Sequence, residues 1–188
     1  DFGYKGDLPT HPKLLDWLAI RFMESGWDIK AMHKLIMSSD AYRRSSAPNH
    51  DCINQDPLNN YFWRFDMRRL GSEEVRDSVL AAKGTINLNI GGPSVTPPLP
   101  EIILATASQK GKGWGPSTPE QANRRSVYVK VKRSMHMPLL INHDMADTDS
   151  TCPVRFTTTV PTQALNMLNG QFMNDSAKQF ADCLLYTS

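Results

Sequence analysis

The stretch from Gly84 to Glu120 limits most sharply what this chain can fold into. It carries Gly91-Gly92-Pro93, Pro97-Pro98, Pro100, Gly111, Gly113, Gly115, Pro116 and Pro119. Each proline removes a backbone donor and fixes φ, and each glycine favours turns over regular structure. No long helix and no central strand can run through such a segment, so a long loop over 84–120 is expected. Loops of this length inside a compact domain are uncommon and serve as functional lids or as linkers. Trp114 and the apolar run from Ile102 to Leu104 favour a loop that packs.

On the N-terminal side of the loop the apolar residues recur with a helical period. Residues 11–24 place Leu14, Leu15, Leu18, Phe22 and Met23 at that spacing, with Thr10 as N-cap, Pro12 in the first turn and Ser25-Gly26 as the stop. Asp28 caps a second helix over 28–44 in which Ile29, Met32, Leu35 and Ile36 share a face. Asp56-Pro57 opens a third over 57–70, with Leu58, Tyr61, Phe62, Phe65 and Leu70 as its buried stripe. Ser72 restarts a helix over 73–83, stopped at Gly84. Beyond the loop, Val127 to Lys132 alternate with a period of two, the pattern of a half-buried strand, with a short helix as the alternative. Helices over 161–169 and 172–182 complete the pattern. The fold class that follows is mainly α: a single helical domain over 1–182 with a long Gly/Pro-rich loop and at most a small β element. Asp1 in place of a methionine reads as a segment arriving from a preceding domain.

Composition narrows the function classes. Of 188 residues, 40% are hydrophobic and 21% charged, which is ordinary globular usage. The 21 basic and 19 acidic residues leave a net charge of +2, too little for a field that would argue for nucleic acid or an anionic membrane. The apolar runs fall well short of the ~20 residues of a membrane-spanning helix. Cys52, Cys152 and Cys183 stand too far apart for a paired metal, redox or haem-attachment motif. A Cys52–Cys152 disulfide and two free thiols both remain open.

Five stretches taken in order resemble one known family, the domain of unknown function 1553. They are HPKLLDWLAIRFMESGWDIKAMHKLIMSSDAYRRSS, DPLNNYFWRFDMRRLGSEEVRDSVLAAKG, GGPSV with its following PPLP, NRRSVYVKVKRS and TTTVPTQALNMLN, and together they cover nearly the whole chain. That resemblance implies a C-terminal domain of large multidomain proteins of planctomycetes and related bacteria, following another domain of unknown function and often a cytochrome-c-like haem module. It further implies export, hence an extracytoplasmic or periplasmic location, with upstream domains of the same polypeptide as partners. Any haem would sit upstream, with no cofactor in this chain. The family has no established catalytic residues to carry over. Cys152-Pro153-Val154-Arg155 departs from a Cys-Pro-Arg-Arg pattern, and Asn142-His143-Asp144 stands where Phe-Asp is more typical. From Cys183 to Ser188 the chain departs from the family and resembles translated adaptor tails of assembled environmental DNA, a non-native ending.

Among the chemistry-bearing residues, the densest cluster is Arg64, Arg68, Arg69, Glu73, Glu74, Arg76 and Asp77, with Arg124-Arg125 following the loop. Arg68, Arg69, Glu74, Arg76, Asp77, Arg124 and Arg125 are the candidate anion- or substrate-binding set, because guanidinium forks grip carboxylates and sulfates. The competing reading is a structural ion network, which the helix-neighbour spacings favour. Trp114 is the candidate loop contact to a ligand. His143, Asp144 and Asp147 are weak metal candidates without a calcium-loop register, and turn capping is their competing role. Trp17, Trp27, Tyr61, Phe62 and Trp63 form either a sugar-stacking platform or, as their spacing favours, a core. No nucleophile–base order and no phosphate loop is present. The reading that results is an accessory or interaction domain of an exported multidomain bacterial protein. The alternative is part of an extracytoplasmic enzyme acting on polysaccharide-derived or anionic substrates through the Arg/Glu/Asp set.

Overall fold

The computed structural model describes residues 3–105, 113–115, 117–152 and 154–186. Helices dominate, and among the described residues the only β pairing is in three isolated bridges, so the fold is mainly α. Where one domain over 1–182 was expected, the chain divides into two compact units, Asp1–Arg68 and Arg69–Ser188.

The first unit opens with α1 (Pro12–Glu24), α2 (Ile29–Met37) and α3 (His50–Gln55). Pro12 sits in the first turn of α1, where its missing N–H is no loss. His11 rather than Thr10 holds the N-cap position, and its ring stacks on Phe62 at 5.1 Å. Asp28 caps α2 as expected, accepting from the N–H groups of Lys30 at 2.9 Å and Ala31 at 3.1 Å. That helix stops at Met37 rather than near Arg44, because the Ser39 hydroxyl donates to the Ile36 carbonyl at 2.6 Å and draws the chain into turns.

No helix forms over 57–70. The carboxylate of Asp56 accepts from the N–H groups of Asn60 and Tyr61 at 2.9 and 2.8 Å. The Asn59 amide donates to the Arg64 carbonyl at 2.9 Å and accepts from the Arg64 N–H at 3.2 Å. These side chains offer the backbone the partners a helix would have supplied, and Asn59 and Phe62 adopt positive φ of 55° and 54°, which end any helical run. Asp56 and Asn59 are buried, so the knot that organises this unit is polar.

The second unit contains α4 (Ser72–Ala82), α5 (Glu101–Ala105), α6 (Pro119–Ala122), α7 (Pro138–Asn142), α8 (Pro161–Asn169) and α9 (Gln171–Tyr186). Two short helices thus interrupt the expected 84–120 loop, of which 106–112 and 116 lie outside the described residues. The α9 helix continues through Cys183 to Tyr186, while the last two residues of the expected tail also lie outside. The core gathers Val95, Leu99, Trp114, Val129, Met135, Met137 and Leu140, so the loop packs by delivering its own apolar side chains inward.

The expected strand over 127–132 is replaced by a 3-10 turn at Ser126–Tyr128 followed by single bridges. Val95 donates to the Tyr128 carbonyl and accepts from Lys130, both at 2.8 Å. The pairing extends no further, since Gly91-Gly92-Pro93 and Pro97-Pro98 bracket Val95 and supply too few donors for a ladder. Among the described residues no helix is long and apolar enough to cross a membrane.

Candidate functional site

Arg76 and Arg124 decide how the arginine-rich cluster is read. Arg76 projects from α4 and is 1% exposed. Its guanidinium donates to the carbonyls of Ala122 at 2.6 Å and Arg124 at 3.0 Å and to the Ser126 hydroxyl at 3.2 Å. Asp77 beside it lies 3.9 Å away. Burial pulls the Arg76 guanidinium down to about 10, against the opposing attraction of Asp77, which leaves it charged at neutral pH. Its donors close the end of α6 and the chain that follows.

Arg124 is also buried. It donates to the carbonyls of Pro93 at 3.0 Å, Asn89 at 3.2 Å and Gly91, and its guanidinium carbon lies 3.8 Å from the centre of the Tyr128 ring. Three converging carbonyls require an unusual backbone path, and Gly91 and Gly92 provide it with φ of 82° and 85°. The Tyr128 hydroxyl accepts from the Gly91 N–H at 2.8 Å and closes the loop from the other side. The GGPSV and NRRSVYVKVKRS stretches are therefore two halves of one structural clamp.

The remaining candidates are engaged in pairs. Arg69 meets Asp144 at 2.6 Å, and Asp144, at a positive φ of 60°, also accepts from the Thr158 N–H at 2.7 Å and from its hydroxyl. The Thr158 N–H, ahead of the Arg69 charge, holds the Asp144 carboxyl below the usual carboxylate range, against its partial burial. Asp77 accepts from the Ser126 N–H at 2.7 Å and faces Arg125 at 3.5 Å. Glu74 takes the Gly71 N–H at 2.6 Å and starts α4. Arg68 is exposed at the end of the first unit.

Sequence reasoning placed no role on Arg155, yet it pairs with Glu73 at 2.6 Å across 82 residues. Burial pushes the Glu73 carboxyl up, but the bonds from Arg155 and Ser72 outweigh it and hold it below its ordinary value. The lone arginine left in the Cys-Pro-Val-Arg stretch was the available signal.

Trp114 is buried in the core and its indole N–H donates to the Pro97 carbonyl at 2.9 Å, so it is a packing residue and not an exposed loop contact. His143 is buried, with Nδ1 2.9 Å from the Leu139 carbonyl. Asp147 accepts from the Asp149 N–H at 2.9 Å and from the Ser150 hydroxyl at 2.6 Å, a turn cap. Among the described residues no three His, Cys, Asp or Glu side chains gather to hold a metal. Cys52 and Cys152, the expected alternative pair, form no disulfide.

The aromatic residues expected in a core lie on the surface instead: Trp17, Trp27, Tyr61 and Phe62 are 44%, 65%, 79% and 43% exposed. They share the first unit with Leu14, Leu15, Ile20, Met23, Ile29, Leu35, Ile36 and Met37, all exposed as well. Among that unit's described residues no hydrophobic side chain is buried; Leu18, Phe22 and Met32, where α1 meets α2, reach only the half-buried range.

A cavity of about 720 Å³ opens in the second unit between Lys83 at the end of α4, the start of α5, α6, α7 and the start of α9. Pro98, Leu99, Met137, Pro138, Phe172 and Met173 supply apolar wall, and Lys83, Glu101 and Asp175 supply charge. None of the seven candidate anion-binding residues lines it.

Comparison with known proteins gives one match of substance. The family model described as "Protein of unknown function (DUF1553)" matches residues 1–187. No curated protein matches, and no solved structure does.

Proposed function

Because the chain belongs to the DUF1553 family of proteins of unknown function, no reaction comes with its membership, and we propose that it is an interaction module. Its first unit buries its apolar surface against a neighbouring domain of the same exported bacterial polypeptide. The observation behind this reading is that unit of 68 residues with no buried hydrophobic side chain among those described. Small domains are marginal even with a full core, and contiguous exposed apolar surface marks an interaction site. A surface so equipped is stabilised when another surface removes it from water.

Aliphatic residues stand among the exposed aromatic rings, which favours a protein face over a sugar. A saccharide platform presents ring faces beside hydrogen-bond donors, whereas Leu14, Leu15, Ile20 and Met23 offer none. The enzyme alternative draws no support from the arginines. Arg76 and Arg124 are bound to backbone carbonyls, and Arg69 and Arg125 face Asp144 and Asp77.

Hydrogen exchange on the 188-residue chain and on the longer parent polypeptide tests the reading. Amides over 12–37 are expected to exchange rapidly in the shorter chain and slowly in the longer one. Equal exchange in both would sink it. Trp17→Asp is expected to abolish the protection in the longer polypeptide while leaving that of α4 unchanged.

A further inference from the structure

The cavity of the second unit combines apolar walls with three charged side chains that lack ion-pair partners among the described residues. Lys83 is half-buried; its ammonium is 3.1 Å from the Gln179 amide oxygen and 5.8 Å from the centre of the Phe172 ring. One of its three donors is thus occupied by a neutral group, and two remain. Glu101 and Asp175, both exposed, line the same space, and their carboxylates make no side-chain hydrogen bond or ion-pair contact among the described residues.

We propose that this cavity binds a short apolar peptide with free termini, its carboxylate at Lys83 and its ammonium at Glu101 or Asp175. The volume of about 720 Å³ lies within the range of small-molecule sites, roughly 300–1,000 Å³, and accommodates two or three residues. Leu99, Met137, Phe172 and Met173 provide contacts for apolar side chains, and the amides of Asn123, Asn166 and Gln171 offer both donors and acceptors to a peptide backbone.

Two further observations favour a carboxylate at the Lys83 end. Burial, followed by the like charge of Arg76, whose guanidinium also lies 5.8 Å from the Phe172 ring centre, holds the Lys83 ammonium below the usual lysine range, Asp175 only partly opposing it, so the cation is under-compensated. The first turn of the 16-residue α9 also borders the cavity through Gln171, Phe172 and Met173, and first-turn N–H groups lack intrahelical acceptors and favour negative charge. The carboxylates of Glu101 and Asp175 argue against a purely anionic ligand. Both signs in one pocket select a zwitterion.

The test is titration of the 188-residue chain with leucyl-leucine, its N-acetyl form, its amide and the doubly blocked form, followed by calorimetry and by chemical-shift changes. The free dipeptide is expected to shift signals of Lys83, Phe172 and Met173, and the doubly blocked form to bind at least about tenfold more weakly, since a charge-assisted bond is lost at each end. Lys83→Met is expected to weaken the two carboxylate-bearing forms about tenfold and to leave the amide form unchanged. Glu101→Gln combined with Asp175→Asn, both at exposed sites where folding is not at risk, is expected to weaken the forms with a free amine, and unchanged binding of those forms overturns the proposal. Absence of shifts at the cavity, or equal binding of the free and doubly blocked forms, overturns the proposal. This site is independent of the first unit's apolar surface, so failure of either leaves the other standing.

Discussion

Arg124 donates to three carbonyls, those of Asn89, Gly91 and Pro93, while lying on the face of Tyr128. A lysine at that position would keep the charge and lose the planar fork, so Arg124→Lys is expected to destabilise the second unit by about 2–3 kcal/mol, measured as a lower urea midpoint at unchanged slope. The Asp144 carboxyl offers a pH test. Its folded pKa is depressed, so its contribution is present above its unfolded pKa and is lost as pH falls through the folded value. Asp144→Asn is expected to lower the melting temperature at neutral pH and to flatten its acid dependence below about pH 4. An unchanged acid slope would mean the Arg69 and Thr158 contacts contribute nothing. At this scale the sequence shows which charged residues lie near one another along the chain but not what they contact. Arg76, Asp77, Arg124 and Arg125 do come together, but spacing could not show that backbone carbonyls 30 and more residues away would take the guanidinium donors of Arg76 and Arg124.

The helix starts at Pro12 and Asp28 matched the structure, since each residue acts on the turn it occupies, whereas the second helix ended at Met37, short of Arg44. The 57–70 segment had equally good periodicity and did not form a helix. There Asp56 and Asn59 bind backbone groups four or five residues ahead, a competition that a count of apolar positions does not see. Asn59→Ala is expected to cost about 2–3 kcal/mol, combining lost bonds with a positive φ that alanine disfavours. Gly92→Ala probes the loop in the same way. A Cβ there meets only the Arg124 guanidinium at 3.7 Å, an ordinary contact, so the effect comes from the backbone at φ 85°. The expected loss is about 1–2 kcal/mol, and Gly92→Asn, which tolerates such dihedrals better, should lose less in the same unfolding measurement.

Across the molecule the two units differ in kind. The second encloses Leu80 completely and a cluster around Trp114 and Val129, whereas the described residues buried in the first are Asp56 and Asn59. Local opening follows buried apolar contact. Native-state hydrogen exchange on the isolated chain is therefore expected to show its slowest amides in α4 near Leu80 and near-unprotected exchange in α1 and α2. Comparable protection in both units would contradict the surface assigned to the first.

The sequence by itself determined the helical class, the helix starts at Pro12 and Asp28, the irregular character of much of the Gly/Pro-rich stretch and membership of a family without assigned function. All of these are properties of adjacent residues or of ordered motifs. Only the tertiary structure decided that Trp114 faces the core, that the aromatic residues of the first unit face outward, and that Lys83, Glu101 and Asp175 share a cavity. Those outcomes depend on which distant surface removes a side chain from water or supplies its hydrogen-bond partner, and periodicity along one segment carries no information about that surface.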